Sequence, residues 1–207
     1  GGIAIQDAIL VSIRNNTVAH NETTATAALA FAPGVFNESN ATPAGIVSRT
    51  HSIDFGIAMG ETNVAESFSN PSISDSIIEH NRSFYWLNFD DPDTPAIETG
   101  LFPANCTTPP IGCDLTNVEG YTADLAVMDG PFTVADPRLV GTLDPQFSRL
   151  TNTLENQVLY IGTNGNVTGD PGFVNGYFNG GLGNLDITEF TTLSTAGAFD
   201  EGGNFIQ

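Results

Sequence analysis

Ser72 to Ser83 reads SISDSIIEHNRS, and sixty residues earlier Ser12 to Thr23 reads SIRNNTVAHNET. Ser-Ile opens both copies, a β-branched pair follows a polar corner, and His-Asn precedes a closing hydroxyl residue. Upstream, Gly2-Ile3-Ala4-Ile5 matches Gly45-Ile46-Val47-Ser48 at the smaller offset of 43. The second unit therefore carries about seventeen extra residues between its two matched segments.

A unit of about twenty residues, built of short β-branched runs and polar corners, has the length of one turn of a parallel β-solenoid. In such a fold each coil stacks about 4.8 Å from the last, and inward Ile and Val form columns. The alignment predicts Ile13 over Ile73, Val18 over Ile78 and His20 over His80. Asn15 and Asn16 suit the corner, because Asn tolerates the left-handed backbone and its amide can bond to the equivalent amide one coil away. The expected organisation is one domain: coil 1 over 1–21, a loop over 22–43, and coil 2 with its insertion over 44–83. An aromatic and disulfide loop region over 84–120 and C-terminal coils over 121–207 complete it. Both ends, GGIAIQ and GGNFIQ, read as strand, so the chain is expected to be a piece of a longer polypeptide.

Composition narrows the function. Twenty-four acids face five bases, all arginine, for a formal charge of −19 across 207 residues. Such a surface repels phosphate backbones and anionic headgroups, which argues against nucleic acid as a partner. No apolar run is long enough to cross a bilayer, which argues against membrane insertion.

Cys106 and Cys113 bracket the loop TTPPIG with no further ligand residues for a zinc site. A local disulfide is the expectation; the alternative is a pair of buried thiols. Seven sequons, at Asn15, Asn21, Asn37, Asn40, Asn81, Asn105 and Asn166, offer acceptors for N-glycosylation. Asp90, Asp91 and Asp93 have the composition of a calcium loop, without the spacing and glycine of an EF-hand, and a solvated turn is the alternative. Beyond Ca2+ there, no cofactor is expected.

The run RSFYWLNF is the most aromatic segment of the chain. It reads first as a hydrophobic plug, and second as a sugar-stacking platform using Tyr85 and Trp86. His20 and His80, stacked one coil apart, would come close enough to share a metal. With no carboxylate in a fixed relation to them, a repeated corner residue is the preferred reading. With twenty-four acids, Asp90 or Asp91 could face Asp124 or Asp129 by chance, and no catalytic or nucleotide-binding motif supports such a pair.

The repeat, the HNRSFYW run, the Asp-Pro-x-Phe-Val segment from Asp170 and the closing DEGGNFI together resemble right-handed parallel β-helix repeat proteins of bacterial and archaeal surfaces. These are adhesin-like or polymorphic outer-membrane-like solenoids. The resemblance implies an all-β right-handed parallel β-helix with long loop insertions, located extracellularly or at the cell surface of a bacterium or archaeon. Roles in that group range from adhesion and scaffolding to polysaccharide cleavage; the absence of lysine sets this chain apart from the cleaving members. The expectation is a non-catalytic interaction module that associates end to end with itself or with neighbouring β-helix segments. A carbohydrate-binding or carbohydrate-cleaving protein is the alternative.

Overall fold

The computed structural model describes residues 2–27, 30–32, 34, 37–61, 67–89, 98–104, 121–128, 141–153 and 160–173. Four strands open the chain: β1 (Ile3–Ile5), β2 (Ser12–Arg14), β3 (Thr17–Ala19) and β4 (Glu22–Thr23). Four more follow around a helix: β5 (Ile46–Arg49), α1 (Ile53–Met59), β6 (Ser72–Ser74), β7 (Ile77–Glu79) and β8 (Arg82–Phe89). The remainder are β9 (Glu98–Pro103), β10 (Tyr121–Thr122), β11 (Leu125–Met128), β12 (Pro145–Gln146) and β13 (Arg149–Leu150).

These strands lie in layers, numbered below as tiers. Tier one holds β1 to β4, tier two β5 to β8, and tier three β11 to β13. Parallel sheets run β1-β5-β11, β2-β6-β12 and β3-β7-β13. The register follows the internal repeat, with Ile3 on Ile46, Ile13 on Ile73 and Val18 on Ile78. Tier three adds Leu125 over Ile46, Pro145 over Ile73 and Leu150 over Ile78. Ile46, Ile73, Ile78, Leu125 and Leu150 are essentially solvent-free, so the aligned columns are the core. A fourth tier begins where Tyr160 bridges Leu143 and Val167 bridges Arg149.

Strands this short need a device that ends them at the same place in every layer. Asn15, Asp75 and Phe147, each between the second and third strand of its tier, have φ of 54°, 53° and 49°. A left-handed residue turns the chain, and among residues other than glycine Asn or Asp does so most readily because the short polar side chain bonds locally. Gly165, at φ 70°, occupies the same corner of the fourth tier.

The expectation of an all-β right-handed parallel β-helix is corrected by this arrangement. The described residues form short strands in separate parallel three-stranded sheets, with a helix and antiparallel pairs beside them, and make no closed solenoid. The helix lies in the segment read as a plain insertion. Ser52 Oγ accepts from Phe55 N at its start, and Gly60, at φ 72°, ends it. The antiparallel pairs join β8 to β9 and β8 to β10. Alternation along β8 explains its pairing. Phe84 and Trp86 pack with Leu101 and Phe31 on one face, while Tyr85, Leu87 and Phe102 enter the main core on the other.

Candidate self-association surface

The corners carry two hydrogen-bond ladders that run through the tiers in one direction. In the first, Asn16 N donates to Ser76 Oγ at 3.2 Å, Ser76 N to Ser148 Oγ at 3.1 Å, and Ser148 N to Asn166 Oδ1 at 2.9 Å. Each of the first three side chains also donates back to the carbonyl two residues earlier, on Arg14, Ser74 and Gln146. That second bond fixes the side-chain oxygen where the preceding tier's N–H arrives. Among the described residues, tier one has no tier before it and no hydrogen bond reaches Asn16 Oδ1. At the opposite end, the N–H of Asn166 makes no hydrogen bond among the described residues.

The second ladder is buried. Asn21 N and Nδ2 both donate to Asn81 Oδ1, at 3.2 and 2.9 Å. Asn81 N and Nδ2 then donate to Asp124 Oδ1, at 3.3 and 2.9 Å, and Asn81 Nδ2 also reaches Val18 O. Asp124 Oδ2 accepts from Thr151 N at 3.0 Å. Burial pushes the Asp124 carboxyl above its ordinary range, and these donors pull against that shift. Again the tier-one member, Asn21, has an Oδ1 that no N–H reaches among the described residues. An amide-to-amide contact between coils was anticipated at the Asn15-Asn16 corner; it occurs one corner later, at Asn21 and Asn81.

Two side-chain groups lie apart from the ladders. His20 and His80 stack with ring centroids 5.3 Å apart and planes 9° from parallel, as their matched positions require. Glu79 joins them, and the three residues bring ligand-type atoms within 4.8 Å of one another. In tier two, His51 Nδ1 lies 2.8 Å from Glu61 Oε1, and Ser67 Oγ donates to Glu61 Oε2 at 2.7 Å. His51 is almost wholly covered, and its Nε2 has no hydrogen-bond partner among the described residues.

The residues singled out from sequence fall in varied surroundings. Asn15 and Asn37 are exposed, whereas Asn21, Asn40 and Asn166 spend their amide nitrogens on internal hydrogen bonds. Asn81 is solvent-free, and the nitrogen a glycan would take donates twice inside the fold, so this sequon belongs to the ladder. Asn105, Cys106, Cys113, Asp90, Asp91 and Asp93 lie outside the described residues. The possible disulfide and the calcium loop are therefore not described.

Tyr85 and Trp86 are 7% and 4% exposed, so the stacking platform is corrected to a plug: neither ring is open to a sugar. Trp86 is the only tryptophan in the chain, which makes the correction measurable. Its emission is expected to be blue-shifted and to stay unchanged as neutral and acidic oligosaccharides are titrated in. Saturable quenching by one of them would reopen the platform reading.

Sequence reasoning missed the roles of Asp124, Glu79, Ser76 and Ser148. Only Ser148-Arg149-Leu150, set beside Ser76-Ile77-Ile78, carried a signal of the third tier. Comparison with known protein families, curated proteins and solved structures finds no match for this chain.

Proposed function

We propose that this chain is a non-catalytic interaction module that adds copies of itself end to end, at an extracellular or cell-surface location. The observation that supports this reading most is the polarity of the two ladders. Among the described residues, tier one ends in open acceptors, Asn16 Oδ1 and Asn21 Oδ1, and the fourth tier ends in an open donor, the Asn166 N–H. A second copy whose fourth tier lies over tier one would continue the first ladder with the same bond that joins Ser148 N to Asn166 Oδ1. Tier one adds edge strands β1, β2 and β3, and the link from β1 to β2 leaves Ile9 and Leu10 exposed. Contact of one end with the other is heterologous and does not close, so it extends into filaments.

Charge opposes this contact. At −19 per copy, neighbours repel until salt screens them, with a Debye length of about 30 Å at 0.01 M falling to about 8 Å at 0.15 M. Sedimentation velocity and negative-stain imaging across that range are expected to show particles lengthening with both protein and salt concentration. Asn16→Ala removes an exposed acceptor while keeping the backbone N–H bonded to Ser76. It is expected to raise the concentration needed for assembly about fivefold, from the loss of about 1 kcal/mol per contact. Monodisperse monomers throughout, or assembly indifferent to Asn16→Ala, would overturn the reading.

A further inference from the structure

We propose that His20, Glu79 and His80 form a binding site for one borderline divalent cation of the zinc and cobalt class. Two imidazoles and one carboxylate are a donor set suited to Zn2+ or Co2+, with the fourth position left to water or a further ligand. The fold delivers all three groups from one corner. His20 and His80 occupy the left-handed turn of successive tiers, at φ of 55° and 50°, so their rings are held face to face. Their backbones are pinned as well, with His20 N donating to Glu79 O at 3.1 Å and His80 N to Thr151 Oγ1 at 2.6 Å.

Glu79 is the reason to expect an ion. Its side chain is 2% exposed, and His80 Nδ1 stands 3.7 Å from its Oε1, a contact that becomes an ion pair only when the imidazole is protonated. A carboxylate this well covered is costly to keep charged, and a cation bound to it and to the adjacent rings would offset that cost. The tetrahedral geometry needs ligand atoms about 3.3 Å apart, with metal bonds of about 2.0–2.2 Å. From within 4.8 Å, this calls for a modest rotation of a ring. The His80 side chain is half-exposed, so it can turn, and its open side admits the ion.

This site is independent of self-association, and it is best tested at protein concentrations and salt where the chain is a monomer. The full chain would be titrated with Co2+ alone by visible absorption and with Zn2+ alone by calorimetry. The expected result is one ion per chain, with the intense absorption of four- or five-coordinate Co2+. His80→Ala changes a half-exposed ring and is expected to keep the fold while weakening binding at least 100-fold. Glu79→Gln, which keeps shape and removes charge, is expected to weaken it at least 10-fold, and Asp54→Asn on the helix should leave it unchanged. Zn2+ should raise the melting temperature of the parent chain and not that of His80→Ala. No absorption band and no heat would overturn the site, and so would an affinity that His20→Ala and His80→Ala leave within twofold.

Discussion

Asp124→Ala is expected to lower the stability of the folded chain by about 4 kcal/mol, read as a shift in the urea midpoint at constant slope. Two effects oppose each other at this position. Removing a buried carboxyl relieves its desolvation, but it also strips the acceptor from Asn81 N, Asn81 Nδ2 and Thr151 N. Each buried donor left without an acceptor costs about 1–3 kcal/mol, so the second effect wins. Asp124→Asn separates the contributions. Its carbonyl oxygen can still face Asn81, while its amide nitrogen confronts the N–H of Thr151, so the loss should be about half as large. A variant of either kind as stable as the parent would mean that the ladder carries no stability.

The same carboxyl sets a pH dependence whose sign follows from its environment. Burial raises the Asp124 carboxyl above 3.8 and the Glu79 carboxyl above 4.5 in the folded chain. Over the interval above those values, the folded state holds protons that the unfolded state has already released. Stability is therefore fully present below the unfolded values and falls as pH rises through the folded ones. Mutual repulsion among the acids, at −19 net by pH 7, acts in the same direction. The urea midpoint is expected to decline from about pH 4 toward pH 7, and Asp124→Asn should flatten that decline. A midpoint that climbs with pH would contradict the assignment.

What the sequence disclosed and what it hid follow from how each layer meets its neighbours. Tiers one and two repeat visibly, because Ile13, Val18, Ile73 and Ile78 must fill one column and His20 and His80 one corner. Tier three shares the column but little of the spelling. Pro145 stands over Ile73 and Phe147 turns the corner that Asp75 turns, so DPQFSRL reads as an Asp-Pro turn. Only inward positions are constrained by packing, and an inward Pro or Leu serves as well as Ile. The antiparallel strand β9 was hidden for a related reason: ETGLFP owes its pairing to the aromatic face of β8, which lies more than ten residues away in the chain. Helix α1 was marked by Ser52 and Gly60, but seven residues between caps are too few for a clear period. Asp124 could not be chosen from twenty-four acids, since its role depends on Asn81, 43 residues earlier.

Gly45→Ala should be about as damaging as losing the ladder itself, at about 3 kcal/mol or more. Gly45 is covered, and a methyl group there would run into the carbonyl oxygen of Asp124, with the carbonyl carbon at 2.9 Å and Asn81 Nδ2 at 3.0 Å. The obstacle is mainly backbone, and it cannot swing aside as a flexible side chain would. Separating the two segments would break the bond from Ile46 N to Asp124 O at 2.7 Å, where β5 meets the residue that leads into β11. It would also push Asp124 away from Asn81, so a single methyl would disturb sheet and ladder together. Gly100→Ala provides the contrast, because a Cβ there meets nothing within 4 Å, and its effect should stay within about 0.5 kcal/mol. Gly60→Ala should fall between them at about 1 kcal/mol, since its space is open but its φ of 72° suits glycine. Urea midpoints ordered Gly100→Ala, then Gly60→Ala, then Gly45→Ala from most to least stable would place the close contact between tiers two and three at Gly45. A Gly45→Ala midpoint equal to that of Gly100→Ala would mean the tiers are not packed so tightly there.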